Sequence, residues 1–150
     1  RKKAHAALEA GLRVILCCGE SEETRDAGKA IDFVTGQLKA SLPQFEKGDQ
    51  TIFEKLTVAY EPIWAIGSGK TATIDDIAEM HAAIRQLLVS LYGEDQGGEV
   101  RILYGGSVKP ENAGEILATP EVGGALVGGA SLAADSFMGI ALAAAEAVDA

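Results

Sequence analysis

The chain has 150 residues, of which 47% are hydrophobic and 23% charged, so it is long enough for one globular domain with a core and too apolar for a disordered chain. Its formal net charge of −9 argues against a general nucleic-acid or anionic-membrane surface, because both need clustered lysine and arginine. The charge does not exclude a small phosphate ligand, which backbone N–H groups alone can hold.

The first residues, RKKAHAALEAG, have the pattern of a helix that is already under way and stops at Gly11. They carry basic charge, but no apolar signal-peptide core follows them, so we expect no targeting signal. No apolar run approaches the roughly 20 residues of a membrane span. We therefore expect a cytoplasmic location.

The next run, LRVILCCG (Leu12 to Gly19), is short, apolar and rich in β-branched residues, which predicts a strand buried on both faces. Its neighbouring cysteines, Cys17 and Cys18, point to opposite faces of such a strand, so we expect no disulfide between them. Two reduced, buried thiols are typical of a cytosolic protein.

Three later runs repeat this strand character: LTVAYEP, VRILYGG and GALVGG. Helical patterns lie between and after them. Four buried strands, each followed by a helix, predict one α/β domain over residues 1–150 with a parallel sheet.

The helical patterns have clear starts and stops. One places apolar residues on a single face and ends at Pro43; it comprises Ile31, Val34, Leu38 and Leu42. A longer one opens with Thr73 and Asp76 at capping-box spacing and stops at Gly93; its stripe is Ile77, Ile84, Leu87, Leu88 and Leu91. Pro110 suits a first helical turn, and an alanine-rich helix follows Asp135.

Glu61 ends an apolar strand and precedes a stiff Pro-Ile-Trp and the glycine-rich AIGSG. A carboxylate in a dry pocket becomes a base strong enough to take a proton from carbon. A loop hinged at Pro62 and Trp64 on one side, and at Lys70 on the other, would supply that dryness by closing. Two plainer interpretations stay open: Glu61 as a solvated or ion-paired residue, and Trp64 as a core anchor.

Paired glycines follow two strands, in LYGGS and LVGGA. Such pairs expose consecutive backbone N–H groups, and two pairs near helix starts form a plausible phosphate site. Because sites on parallel sheets lie at the carboxyl ends of strands, we expect the glycines and Glu61 to share one edge. The alternative is tight-turn geometry without a ligand.

Several other kinds of site are not supported by the sequence. AIGSGKT ends like a nucleotide-binding P-loop, but Trp64 occupies the place of its first glycine. His5 and His81 lie in predicted helices, away from strand ends, which favours structural roles. We expect no metal and no Ser-His-Asp arrangement, because neither spacing is present.

The stretch AYEPIWAIGSGKTAT resembles the catalytic strand and mobile lid of the triosephosphate isomerase family, and VILCCGE, YGGSV and LVGGASL resemble that family's fifth, seventh and eighth strand ends. The resemblance implies the carboxyl-terminal (β/α)4 half of an eight-stranded barrel, preceded by the end of a fifth helix. It also implies a cytoplasmic, homodimeric enzyme of glycolysis and gluconeogenesis that uses no cofactor.

Residue roles follow from the same resemblance. Glu61 would be the catalytic base that moves a proton between adjacent carbons through an enediol. The substrate phosphate would be bound by Gly67, Ser107, Gly128 and Gly129. The lid and its latch would comprise Pro62, Trp64, Ile66, Gly69, Lys70 and Tyr104, together with Ser107. Cys17 would be a buried structural cysteine, and Ser68 stands where threonine is usual in the lid.

The family's strand-one asparagine–lysine motif and its electrophilic strand-four histidine have no match in the chain. We therefore expect a half-barrel that is inactive alone and completed by the missing amino-terminal half. The alternative is a non-catalytic phosphate-binding module that self-assembles, because open parallel edges invite pairing.

Overall fold

The computed structural model describes residues 1–44, 54–68 and 70–149. In chain order the helices and strands are α1 (Lys2–Glu9), β1 (Val14–Cys18), α2 (Glu22–Asp26), α3 (Ala30–Ser41), β2 (Leu56–Tyr60), α4 (Ile74–Tyr92), α5 (Glu94–Glu99), β3 (Arg101–Tyr104), α6 (Pro110–Leu117) and α7 (Ala134–Asp149). Two 3₁₀ turns cover Ile63–Ala65 and Gly129–Leu132. Within this part of the chain, no helix is long and apolar enough to cross a membrane.

The three strands form a parallel sheet in the order β1-β2-β3. The predicted parallel α/β architecture is therefore confirmed. The fourth predicted strand, residues 124–129, pairs at one position only, where Ala125 forms a parallel bridge to Tyr104. Gly124 has a φ of +150°, a conformation outside the normal strand range, and glycine weakens strands in general. The described residues thus contain three strands, and the count of four is not confirmed.

One face of the sheet carries the core. The register aligns Leu16, Val58 and Ile102 across the three strands, and Cys18, Tyr60 and Tyr104 one step further along. Helix α3 packs against β1, α4 packs against β3, and the two helices contact each other over this face. Helices α6 and α7 pack together beside α4.

The opposite face of the sheet is only partly covered. Ile15 is 51% exposed and Cys17 is exposed, so the prediction that β1 is buried on both faces is wrong. Since strand side chains alternate between faces, the α3–α4 layer covers only one of the two sets. Cys17 lies in the uncovered set, and the expected burial of its thiol is also wrong. Cys18, on the core side, is buried as expected.

The helix boundaries follow the local signals in the sequence. Thr73 and Asp76 form the predicted capping box at the start of α4, which ends at Gly93 with a φ of +88°. Pro110 is the first residue of α6. Leu91, predicted on the buried stripe, is instead 47% exposed in the last turn of α4. Helices α2 and α5 were not predicted, since both are short and polar.

Candidate functional site

An open crevice of about 540 Å³ lies at the carboxyl edge of the sheet. Six of the predicted site residues line it: Glu61, Ile66, Gly67, Ser107, Gly128 and Gly129. Its other lining residues include Gly105, Gly106, Val108 and Lys109. The structure therefore brings the carboxylate, the first part of the glycine-rich loop and both glycine pairs to one place.

Glu61 directly follows β2 and continues its hydrogen bonding. Its N–H donates to the Cys18 carbonyl (2.7 Å), and the Gly105 N–H donates to the Tyr60 carbonyl (2.8 Å). The strand alternation places the Glu61 side chain on the same face as Cys17, away from the core. Glu61 is half-buried there.

Glycines on both sides make room for Glu61. A Cβ atom on Gly105 would lie 2.6 Å from Cγ of Glu61, and one on Gly19 would lie 1.8 Å from the Glu61 carbonyl oxygen. Real Cβ atoms do not approach other atoms so closely. Gly105 is therefore a steric requirement for this position of the Glu61 side chain, and Gly19 is one for the close approach of the Glu61 backbone.

The Cys17 thiol is a direct neighbour of the carboxylate. Partial burial, a hydrogen bond with Glu61 and the negative charge of Glu61 raise the pKa of Cys17 to about 11. Burial, together with the charges of Cys17 and Glu20, raises the pKa of Cys18 to about 12. Both cysteines are thus thiols, not thiolates, at neutral pH.

The start of the glycine-rich loop is fixed to a buried carboxylate, Glu20, which has no exposed surface. One of its oxygens, Oε1, accepts hydrogen bonds from Trp64 Nε1 (3.0 Å), Arg25 Nε (2.8 Å) and the Tyr60 hydroxyl (3.1 Å). The Arg25 guanidinium also lies 5.3 Å from the centre of the Trp64 ring, within cation–π distance. Pro62 is buried beside this cluster. Trp64 therefore anchors the loop to the fold.

The middle of the loop is open to solvent. Ile66 is 50% exposed, and Gly67 is exposed with a φ of +67°, in the left-handed region that glycine tolerates. The Ser68 hydroxyl donates to the Trp64 carbonyl (2.6 Å) and accepts from the Lys70 N–H (3.2 Å). Gly69, which was predicted to belong to the lid, lies outside the described residues.

The end of the loop is held at two points. The Lys70 ammonium forms an ion pair with Glu22, and the Tyr104 hydroxyl lies close to the backbone of Ala72. Tyr104 is itself buried at the end of β3, and burial raises its pKa. It also lies under Gly106, where a Cβ atom would be 2.1 Å from the Tyr104 hydroxyl oxygen.

The second glycine pair is exposed at the crevice. A Cβ atom on Gly128 or Gly129 would meet no other atom within 4 Å. The Gly128 carbonyl accepts from the N–H and the hydroxyl of Ser131. Among the described residues, the N–H groups of Gly128, Gly129 and Ser107 donate to no protein acceptor. Free amides of this kind can bind an anion.

Neither histidine takes part in the crevice. His5 is on the surface of α1, 3.3 Å from Glu9, and His81 is buried in α4 with Nδ1 3.0 Å from the Glu121 carbonyl oxygen. Burial lowers the pKa of His81, which keeps its ring neutral. In the described part of the chain, no group of three or more His, Cys, Asp or Glu side chains is placed to hold a metal ion.

The roles of three residues at this edge were not predicted from the sequence. Nothing in the spacing of Glu20 indicated its contact with Trp64, 44 positions away. Arg25 lies in the unpredicted helix α2. Lys109 lines the crevice two residues after Ser107 and directly precedes Pro110, the first residue of α6.

Comparisons with known proteins agree on one family. A family model described as "Triosephosphate isomerase" matches residues 1–144. The triosephosphate isomerase of Caulobacter vibrioides is 61% identical over 138 residues, which are 92% of this chain and 52% of that protein. The corresponding protein of Granulibacter bethesdensis is 54% identical, over 97% of this chain and 56% of its own length.

A solved structure, the triosephosphate isomerase of Bartonella henselae, superposes with a TM-score of 0.84 at 45% identity. The match covers 95% of this chain and 55% of the Bartonella chain. The chain thus spans about half the length of the relatives it matches.

The contact between Cys17 and Glu61 predicts an unusual pH dependence of alkylation. Because the thiolate is the reactive form, the rate of Cys17 alkylation by iodoacetamide should still be rising steeply between about pH 8 and 10. Glu61→Gln removes the negative charge, lowers the pKa of Cys17 and moves the rise to lower pH. The measurement is the alkylation rate against pH, with Cys17→Ser identifying the reacting thiol.

Glu115→Gln, which removes an exposed carboxylate on α6, is the matched control and should leave the profile unchanged. An identical profile in the wild type and Glu61→Gln would show that the carboxylate does not face the thiol.

Proposed function

Since the chain belongs to the triosephosphate isomerase family, we propose that it carries the base, the lid and part of the phosphate site of an enzyme that interconverts dihydroxyacetone phosphate and D-glyceraldehyde 3-phosphate. The observation that supports this most strongly is the shared crevice, in which the Glu61 carboxylate lies with the free amides of Ser107, Gly128 and Gly129. A triose phosphate has a phosphate group at one end and acidic carbon-bound protons at the other. Its isomerisation therefore needs an anion-binding group and a base in the same crevice.

Glu61 acts as the base in this proposal. Its carboxylate takes a proton from the carbon next to the substrate carbonyl and returns it to the neighbouring carbon, through an enediol. The phosphate is held by the backbone N–H groups of Gly67, Ser107, Gly128 and Gly129, as the resemblance implies. Closure of the loop anchored at Trp64, with Tyr104 as its latch, excludes water and strengthens the base.

The chain alone is proposed to be inactive. Proton removal from carbon also needs a group that polarises the carbonyl oxygen. Neither His5 nor His81 is among the residues that line the described crevice. The electrophile and the family's strand-one lysine are therefore expected from a part of the enzyme that this chain does not match.

We further propose that residues 1–150 are one domain and form a four-stranded half of an eight-stranded barrel, in a cytoplasmic homodimeric enzyme of glycolysis and gluconeogenesis. Two observations support the half-barrel. The bridge from Ala125 to Tyr104 continues the strand order beyond β3. The superposed Bartonella chain is about twice as long as the part this chain covers.

A second candidate function is a non-catalytic phosphate-binding module that self-assembles. It is favoured by apolar side chains left open to solvent. On and beside β1, Leu12 is 59% and Ile15 51% exposed. On α7, Phe137 is 46%, Met138 54% and Leu142 61% exposed. Apolar surface of this extent is typical of a face that another chain covers.

Complementation distinguishes the two functions. The chain is mixed or fused with the part of the Caulobacter vibrioides isomerase that it does not match, and isomerisation of D-glyceraldehyde 3-phosphate is measured. We expect activity from the pair and none from the chain alone. Glu61→Gln in the pair should lower the turnover number about a hundred- to ten-thousand-fold, the usual contribution of a general base.

Glu115→Gln is again the control and should retain full activity in the pair. An inactive pair that binds phosphate would favour the module, and an unchanged turnover number in Glu61→Gln would eliminate Glu61 as the base.

The open apolar surface also predicts that the chain associates when it is alone. Light scattering at micromolar concentration should give a mass above that of one chain, 15.5 kDa. Adding the complementary part should reduce this self-association, because it covers the same side chains. A monodisperse monomer in the absence of any partner would contradict the prediction.

A further inference from the structure

The crevice carries two charged side chains of opposite sign. Among the described residues that line it, Glu61 and Lys109 are the charged ones, and the others are glycine, alanine, serine or aliphatic residues. Glu61 is the proposed base. Lys109 has no role in the reaction as proposed above, and its place two residues after Ser107 puts it at the phosphate end of the crevice.

The backbone of Lys109 is fixed, while its side chain is free. The Lys109 N–H donates to Asn112 Oδ1 (2.8 Å), and Asn112 Nδ2 donates back to the Ser107 carbonyl (3.0 Å). These two bonds join Ser107, Lys109 and the start of α6 into one rigid turn. The side chain is exposed and forms no ion pair with any described residue.

Other cations near this edge are already paired. The Lys70 ammonium contacts Glu22, and the Arg25 guanidinium contacts both Glu20 and Asp76. Their charges are largely cancelled by these carboxylates. Lys109 is thus the one unpaired cation among the described lining residues of the crevice.

The charge balance of the chain favours a cation in the crevice. A phosphate dianion that approaches a chain of net charge −9 meets a repulsive field, and Glu61 adds a negative charge inside the crevice itself. The glycine amides carry only partial charges, which act over short distances. A full positive charge beside Ser107 lowers the potential over the longer range in which the ligand arrives.

We propose that Lys109 is a specificity-determining residue that attracts the dianionic phosphate group to the amides of Ser107, Gly128 and Gly129 and disfavours uncharged substrates. The inference rests on the proposed phosphate site and adds to it a residue that acts through its charge. The proposed role depends on charge and not on the geometry of particular hydrogen bonds, so arginine, which keeps the charge, can replace lysine at this position although the two side chains differ in shape.

The test measures the binding of inorganic phosphate from the broadening of its phosphorus NMR signal. The first titration is done at about 10 mM salt, where the Debye length is about 30 Å. Lys109→Gln should weaken binding about three- to tenfold, and Lys109→Arg should bind like the wild type. At about 1 M salt, where the Debye length is about 3 Å, the difference should disappear. A merely structural role for Lys109 would not depend on salt.

Lys39→Gln is the matched control, because it removes the same charge from the last turn of α3, at the end of the sheet opposite the crevice. The titrations are run on the chain alone and on the complemented pair, with circular dichroism showing that each variant is folded.

Equal binding of phosphate by the wild type and Lys109→Gln, or an equal loss of binding in Lys39→Gln, overturns the role of Lys109 and leaves the proposed phosphate site unaffected. Absence of phosphate binding by the wild type in both forms overturns the phosphate site and this inference together.

Discussion

The site depends on a steric constraint at the ends of three parallel strands. The strand register places Gly19, Glu61 and Gly105 side by side on the same face, one step beyond Cys17, Ala59 and Leu103. Glu61, in the middle of these three residues, has a side chain, and the glycines on either side of it have none. A methyl group at Gly105 would overlap Cγ of Glu61, and one at Gly19 would overlap the Glu61 carbonyl oxygen. The side chain and the backbone of Glu61 therefore each require a neighbouring glycine. The open crevice and the position of Glu61 in it follow from this arrangement.

The same strand ends connect the loop to the core. Tyr60 and Tyr104 are fully buried on the core face, and their rings pack around His81, at centroid distances of 6.1 and 6.4 Å. Their hydroxyls reach opposite ends of the loop: that of Tyr60 donates to Glu20, which accepts from Trp64, and that of Tyr104 lies close to the backbone of Ala72. Both ends of the loop therefore contact side chains whose positions the core determines. The middle of the loop, at Ile66 and Gly67, is exposed between them.

The parts of the fold that could be predicted from the sequence are those set by local signals. The capping box at Thr73, the stop at Gly93 and the first-turn Pro110 depend on residues within one helical turn, and they were found. The burial of β1 was misjudged, because whether Ile15 is covered depends on packing that no local pattern records. The predicted strand at residues 124–129 keeps the apolar run but pairs only at Ala125, where glycine conformations interrupt the ladder.

The residues of the candidate site likewise comprise some that could be predicted from local signals and others that could not. Glu61 and the glycine pairs were recognisable because their spacing relative to strand ends is itself the signal. Glu20, Arg25 and Lys109 were missed, since their contacts join residues far apart in the chain or depend on the direction of a free side chain. Sequence spacing thus finds the groups that the backbone positions, and it does not find the charges around them.

The central claim is that the Glu61 carboxylate and the amides of the glycine turns face the same bound phosphate ligand. It is tested most directly by an NMR titration of the complemented pair with 2-phosphoglycolate, a two-carbon phosphate that spans a phosphate site and a nearby base. We expect the Glu61 side-chain carboxyl carbon and the Gly128 and Gly129 amide signals to shift with one common saturation curve. Signals that shift at the amino ends of the strands instead, around Leu56 and Arg101, or a Glu61 signal that stays unchanged while the glycine amides saturate, would contradict the account.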